Sequence, residues 1–328
     1  MIDLKNRLLH NHTTLSEDEA EQLHHGAGSQ YTVEVKPPRN GDIPSTLNQF
    51  VRGITEYQTK WLGLSNASPV IAYEIRRSQS GELTYQYTVP SKRLERKLRT
   101  NLSEQIPGLG FETGVDGLPV LKDDTIGGGL LTVGRRDCYP LRTEYDIPPI
   151  NALTAALHRH AMWDTKFVVQ ILFQPKIGEP VRNRLWIRRA YKQLGYLRKE
   201  KPDIFPWHDR PATPRERQQA DAIEDKAGSP RFDVSIRFLV IGAGEHTPSR
   251  VKELAGAFNH FEDATTGQYL NTSTVRSLRE SRFLEFADAV RRREFDDWSL
   301  SFQASTSELA ALVSIPDRNQ QNIRTAQP

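Results

Sequence analysis

The sequence has 328 residues, 37% of them hydrophobic and 26% charged, with a formal net charge of +3. This is enough apolar material for buried cores, and the charge balance is too weak to indicate a class of partner. The single cysteine, Cys138, excludes an internal disulfide, which fits a reducing compartment. No apolar run reaches 18 residues, so no transmembrane helix is predicted. We expect a cytoplasmic protein, and peripheral attachment at the inner face of the membrane stays open.

The length predicts two domains. Residues 1–30 are polar and acidic. After them, residues 31–125 have the order β-α-β-β-α-β, which is that of a ferredoxin-like unit. The alternation and helical spacing predict strands at 31–36, 70–77, 82–89 and 110–113, with a hairpin around Gly81, and helices at 45–64 and 91–102, capped by Ser45 and Ser91.

A similar order recurs more loosely over residues 126–300. A helical insertion at 180–228 interrupts its central hairpin, and another helix is predicted at 273–294. The predicted fold class is therefore α+β, with two ferredoxin-like (βαββαβ) units of which the second carries the insertion. The other predicted elements of this unit are strands at 129–137, 166–173, 231–242 and 268–272, and helices at 150–162 and 249–261.

The sequence predicts a capped helix followed by a polar tail over residues 301–328. Ser305 and Glu308 have the spacing of a capping box, and Leu309, Leu312 and Val313 share one helical face. Two interpretations follow from this face. The helix either closes the chain's own fold or forms an interface with a further domain or subunit, and we expect the second.

Motifs for chemistry are weak in this sequence. The loop "VIGAGEHTPSR" (240–250) has Thr247 where a dinucleotide fingerprint needs a third glycine, and no G-x-x-x-x-G-K-[ST] loop for ATP phosphates occurs. The nine histidines lack the spacing and companions of a metal site. We therefore expect no catalytic, cofactor-binding or metal-binding residues and no cofactor, so the protein is predicted not to be an enzyme.

The insertion carries a concentrated positive charge. Between 181 and 218 there are eleven arginines or lysines and four acidic residues, which gives +7 in a chain that totals +3. Its helical pattern predicts a buried face of Ile187, Ala190, Tyr191, Leu194 and Leu197. Three interpretations fit the basic ridge: a solvated face that pairs with the acidic N-terminal segment, a nucleic-acid site, or a surface for anionic lipid. The candidate nucleic-acid-binding residues are Arg184, Arg188, Arg189, Lys192, Arg198 and Lys199.

Three stretches carry a family resemblance: "FVVQILFQP", then "RFDVSIRFLVIGAG" with a following helix, then "SELAALVSIPD". In this order they resemble the N-terminal, non-motor region of conjugation-type (TraG-like and HerA–FtsK-like) DNA-translocating ATPases. The resemblance covers residues 30–317. In that family the phosphate-binding loop of the motor would follow Pro316, and this sequence has no such loop, so no catalytic residue carries over.

The resemblance implies a non-catalytic assembly and docking region of a DNA-translocation or conjugative-transfer machine, similar to type IV secretion. Its implied partners are a P-loop motor domain or subunit, DNA, membrane channel proteins, and further copies of the chain in an oligomer. The alternative from another class is a free-standing nucleic-acid-binding protein that uses the basic ridge. Residues Glu308 to Pro316 would then be the junction to a motor domain that is either truncated here or supplied by a separate chain.

Overall fold

The computed structural model describes residues 9–40, 42–78, 81–157, 165–202, 209–317, 319, 320 and 323. In these residues, ten strands form one antiparallel sheet, and two further strand pairs are short hairpins. The strands are β1 (His12–Thr14), β2 (Tyr31–Lys36), β3 (Thr59–Lys60), β4 (Ser65–Asn66), β5 (Ile71–Arg77), β6 (Leu83–Val89), β7 (Gly110–Thr113), β8 (Thr125–Val133), β9 (Lys166–Pro175), β10 (Lys201–Pro202), β11 (Asp209–Arg210), β12 (Arg231–Ile241), β13 (Leu270–Thr274) and β14 (Phe302–Ser305).

The sheet runs in the order β1-β8-β12-β9-β5-β6-β2-β7, with β13 paired to β8 and β14 paired to β12. The strands of residues 31–125 and those of residues 126–300 lie side by side in it. The first set has the order β5-β6-β2-β7, and the second has the order β13-β8-β12-β9. Antiparallel pairing of β5 with β9, from Ile71 opposite Phe173 to Arg77 opposite Phe167, joins them into one sheet.

Helices cover both faces of the sheet. Apolar residues at alternating strand positions point to opposite faces. The larger apolar cluster lies on one face under α2, α3, α4, α7 and α9, and a smaller one lies on the other face under α1 and α8. The helices are α1 (Glu17–His24), α2 (Asn48–Ile54), α3 (Lys92–Gln105), α4 (Ile150–Leu157), α5 (Pro180–Arg198), α6 (Pro214–Gly228), α7 (Thr247–Gly256), α8 (Ser281–Arg292) and α9 (Thr306–Leu312), with 3₁₀ turns at Gly244–His246 and Ala257–Phe261.

The predicted α+β class is confirmed, as are most of its strands. The end of the predicted helix 150–162 lies outside the described residues. Residues predicted as one helix at 249–261 form α7 and a 3₁₀ turn.

Strand β8 begins at Thr125, four residues earlier than predicted, and contains the "GGG" stretch. A Cβ at Gly128 would lie 2.1 Å from the Phe238 carbonyl oxygen and 2.4 Å from the Phe286 ring, so close approach of α8 requires glycine there.

The predicted helix at 45–64 is wrong in its second half. Helix α2 ends at Ile54, because Thr55 adopts an extended conformation, and its N-cap is Leu47 rather than Ser45. Residues 59–66 then form the β3–β4 hairpin instead of continuing the helix. The regular spacing of Tyr57 and Trp61 predicted a buried helical face, but both side chains are exposed.

The C-terminal helix α9 lies in the chain's own core. Ser305 and Glu308 form the predicted capping box. Leu309, Leu312 and Val313 are 0 to 1% exposed and pack within the larger apolar cluster, so the expected interface role of these three residues is corrected. The Tyr73 hydroxyl donates to the Ser314 carbonyl at 2.7 Å, which ties the segment after α9 to β5.

The acidic N-terminal segment is part of the fold from residue 9 onward. Strand β1 pairs with β8, and α1, capped by Ser16 and Glu19, buries Ala20 and Leu23 in the smaller apolar cluster beside α8. Among the described residues, no helix combines the length and the apolar composition needed to cross a lipid bilayer.

Candidate nucleic-acid interface

The insertion predicted between β9 and β12 forms a helical hairpin of α5 and α6. Both helices begin with proline at the first turn, which suits a helix start because that position needs no N–H donor. Thr213 and Glu216 form a capping box on α6. The hairpin has its own small apolar cluster, in which α5 packs on α6 and on the loop before Tyr139.

The buried face of α5 differs from the predicted one by a rotation of the helix. Trp186, Ala190, Leu194 and Leu197 are buried at i, i+4, i+8 and i+11, whereas Tyr191 is 48% exposed. The Arg231 guanidinium lies over the Trp186 ring at 3.9 Å, so the end of the sheet holds this face in place. The rotation decides which side chains point outward.

The outward face of α5 is basic along its length. The helix has five arginines, one lysine and no acidic residue. Its exposed stripe includes Arg184, Arg188 and Lys192, and Lys199 continues the same line just after the helix. None of these four side chains forms an ion pair with any described residue.

Other cations of the insertion are already engaged. Arg198, a predicted nucleic-acid-binding residue, donates hydrogen bonds to Asp221 at 2.7 Å and to Glu224 at 2.6 Å. The hydrogen bond to Asp221 is the largest cause of the raised pKa of Arg198. Lys201 and Arg210 both bond Glu216, and these carboxylate partners hold them inside the hairpin. Five of the eleven arginines and lysines between 181 and 218 have no hydrogen bond or ion pair to a described residue. They are Arg184, Arg188, Arg189, Lys192 and Lys199.

A cleft of about 760 Å³ opens beside this stripe. Arg189 and Lys192 lie on its α5 side, and Arg136 lies on the opposing loop, where it bonds Gln193 at 2.8 Å. Trp186 and Tyr196 contribute aromatic surface to its lining. The lining therefore contains three cations, of which Arg136 comes from outside the insertion, and one carboxylate, Asp137, which accepts a hydrogen bond from Trp186 Nε1 at 2.8 Å.

The acidic residues of the described part of the N-terminal segment, residues 9–30, form no ion pair with α5. Glu17 pairs with Lys122 at 2.8 Å, and Glu19 is committed to the cap of α1. Helix α1 packs against α8 rather than against the insertion. Within residues 9–30, therefore, no acidic side chain pairs with the basic ridge, and the structure gives no support to that interpretation.

Five of the six basic candidates, all except Arg198, have no ion pair with a described residue, whereas the sequence analysis missed parts of their surroundings. Arg136 lies about 50 residues before α5 in the chain, so only the fold brings it to the cleft. Trp186 was identifiable, because a tryptophan four residues before Ala190 extends the buried row. The exposed hairpin around Trp61 was not predicted, because the apolar residues of this segment have the spacing of a helix.

A search of curated proteins finds no match to this chain. A family model described as "Domain of unknown function (DUF8128)" matches residues 5–328, nearly the whole sequence. The chain therefore belongs to the DUF8128 family.

Proposed function

We propose that the protein binds DNA through the outward face of α5, as a non-catalytic region of a DNA-translocation or conjugative-transfer machine. The observation that carries this proposal is the row of exposed basic side chains without ion-pair partners among the described residues. Arg184 to Lys199 spans fifteen residues, or about 22 Å along a helix, which is enough to contact several consecutive phosphates.

Binding of this kind would be electrostatic and independent of sequence. Contacts to phosphates position a protein on the duplex but carry no base information. Release of counterions makes log affinity fall with log salt, with a slope of about −0.9 for each neutralised phosphate. Four contacts by Arg184, Arg188, Lys192 and Lys199 would give a slope of about −3.6.

The salt dependence tests the site. Replacing Arg184, Arg188 and Lys192 with Gln should flatten the slope on duplex DNA by roughly 2–3. Arg198→Gln is the matched control, because Arg198 lies on the same helix but is paired with two carboxylates. An unchanged slope in the triple variant, or no DNA binding by the wild type, would refute the proposed site.

The proposed role of this chain in a DNA-translocation machine rests on the family resemblance together with one spatial relationship. The three resembling stretches correspond to β9, β12 and the segment around α9. Strands β9 and β12 are paired, and α9 contacts β12, so the stretches belong to one region of the fold. The three stretches that carry the resemblance therefore form one structural region, as the proposal requires. The partners proposed on this basis are a P-loop motor, membrane channel proteins and further copies of the chain.

The alternative is a free-standing nucleic-acid-binding protein. Under this alternative, the affinity for DNA should not change when a motor protein is added. Under the machine proposal, a P-loop ATPase encoded beside this gene should co-purify with the chain, and the ATPase rate of that motor should change on association. If the ATPase neither binds nor responds, the free-standing alternative is the better account.

We also propose that each half of the sheet is a ferredoxin-like unit. Numbering the strands of each unit by chain order gives 2-3-1-4 for β5-β6-β2-β7 and 4-1-3-2 for β13-β8-β12-β9. These are the same order read in opposite directions, and each unit places two helices, α2 with α3 and α4 with α7, on the same face. The repeated order supports an origin of both units in one split βαβ motif. The proposed location is cytoplasmic.

A further inference from the structure

Three large apolar side chains project into solvent at the tip of the β3–β4 hairpin. Trp61 is 79% exposed, Leu64 is 63% exposed, and Leu62 between them is fully exposed. We call Trp61, Leu62 and Leu64 the apolar tip. Single exposed apolar residues are common on protein surfaces, but three in four consecutive positions form a patch that indicates an interaction.

The backbone holds the tip in an unusual conformation. Trp61 and Leu62 both have φ of 55°, in the left-handed region that bulky residues rarely adopt, and Gly63 follows at 87°. The turn is closed by a hydrogen bond from the Leu64 amide to the Trp61 carbonyl at 3.1 Å. Strain of this kind persists where surrounding structure holds it, and it occurs often at functional sites.

The hairpin is anchored beside the start of α5. The Asn66 side-chain amide donates to the Pro175 carbonyl at 2.7 Å, and the Glu179 amide donates to the Leu64 carbonyl at 3.2 Å. Gly178 has φ of 68°, and a Cβ there would lie 3.0 Å from the Ser65 carbonyl carbon, so glycine permits this close approach. The apolar tip and the first turns of α5 therefore belong to one surface.

Cations and further apolar surface flank the tip. Lys60 precedes it, is exposed, and has no ion pair with any described residue. Arg182 and Arg184 lie in the first turns of α5, together with Val181, which is 70% exposed. The nearby acidic residue, Glu179, is engaged by Lys176 at 2.9 Å and Arg182 at 3.2 Å. The surface thus combines an apolar projection with a surplus of positive charge.

We propose that the apolar tip inserts into the boundary between headgroups and acyl chains of an anionic phospholipid bilayer. Lys60, Arg182 and Arg184 would then lie at the level of the lipid phosphates. Tryptophan favours this boundary because its ring is apolar while its N–H can still find polar partners. Charge complementarity favours an anionic lipid surface over a protein pocket, since basic side chains near a membrane add attraction to negatively charged lipids.

Co-sedimentation of the full chain with vesicles tests this proposal. The vesicles contain phosphatidylcholine alone or with 30% phosphatidylserine. Affinity should be at least about tenfold higher for the anionic vesicles. The tip variant replaces Trp61, Leu62 and Leu64 with Asn, which tolerates the left-handed conformation, and should bind anionic vesicles at least about tenfold more weakly. The matched control replaces Leu121, Ile147 and Leu278, which are 50 to 67% exposed elsewhere, with Asn and should bind as the wild type does.

The outcomes separate this site from the DNA site. No binding of the wild type to either vesicle, or equal binding by the wild type and a folded tip variant, overturns the proposal. Self-association of the wild type in sedimentation velocity that the tip variant lacks, with no vesicle binding, would instead assign the tip to a second copy of the chain. The tip variant should retain the wild-type salt slope on DNA, so failure of DNA binding leaves the vesicle result unaffected.

Discussion

Lys226 of α6 donates a hydrogen bond to Glu308 of α9 at 2.9 Å, and both side chains are at most 1% exposed. Glu308 also accepts the backbone amides of Leu141 at 2.8 Å and Ser305 at 2.7 Å. The capping residue of the last helix is therefore also the ionic partner of the insertion. Through this one carboxylate, the α5–α6 hairpin, the loop that contains Leu141 and the helix α9 are positioned together.

Breaking this pair should destabilise the fold strongly. Glu308→Gln leaves the Lys226 ammonium buried without a counter-charge, for which we expect a loss of about 3–5 kcal/mol in the free energy of unfolding. Adding Lys226→Met should recover part of that loss, and urea unfolding of the wild type, both single variants and the double variant measures the coupling. The exposed pair Lys122–Glu17 is the control, with an expected effect below about 1 kcal/mol. Equal losses in the buried and exposed pairs would contradict this account.

The terminal helix is expected to contribute to stability rather than to association. Leu309 is fully buried, so Leu309→Ala should lower the free energy of unfolding by about 2–5 kcal/mol. Leu300→Ala, at a position that is 42% exposed, should have a much smaller effect. Thermal melts with analytical ultracentrifugation measure both. Weaker self-association of the Leu309 variant with an unchanged melting temperature would restore the interface interpretation.

A polar row crosses the second face of the sheet where the two units meet. Glu74, Gln170 and Arg237 are cross-strand neighbours on β5, β9 and β12. Gln170 donates to Glu74 at 2.7 Å and accepts from Arg237 Nε at 3.0 Å. Arg293, which follows α8, donates to Glu74 at 2.8 Å and to Asp116 at 2.6 Å. The network therefore links both halves of the sheet to the end of α8.

Arg293 is expected to contribute strongly to the stability of this network, because it bonds both Glu74 and Asp116. Arg293→Met removes its hydrogen bonds and leaves the fully buried Glu74 carboxylate with Arg76, 3.5 Å away, as its remaining ion-pair partner among the described residues. We expect a loss of about 3–5 kcal/mol, measured by urea unfolding at pH 7. Arg282→Met, which removes an exposed ion pair on the same helix, should cost below about 1 kcal/mol. A small effect of Arg293→Met would mean that water or Arg76 compensates the carboxylate.

Acid should weaken the same network. Burial alone would raise the pKa of Glu74, but Arg293 and Arg76 outweigh it and lower the pKa to about 2 from 4.5. A depressed carboxyl pKa contributes stability above pH 4.5 and loses it as the pH falls toward 2. The difference in unfolding free energy between the wild type and Glu74→Gln should therefore shrink between pH 5 and pH 3. Parallel curves for the two proteins over this range would show that Glu74 is not the responsible group.

The sequence alone determined the local elements whose signals are local. Alternating apolar residues predicted β2, β5 and β6 nearly to the residue, and Ser91 and the Ser305–Glu308 box marked two helix starts. These features depend on residues a few positions apart, so neighbouring side chains decide them. The positive charge of α5 was visible for the same reason, because it is a property of one continuous segment.

Tertiary structure decided which side chains are buried, which are exposed and which are ion-paired. Trp61 has the spacing of a buried helical face, yet α2 ends at Ile54 and the hairpin exposes the tryptophan. Leu309 has the pattern of an interface and of a core alike, and only the packing of α9 on the chain's own strands distinguishes them. Arg198 and Lys192 lie on one helix, but of these two described side chains only Arg198 pairs with carboxylates of α6. Burial and ion pairing depend on partners that are distant in the chain, and for that reason no local pattern could assign them.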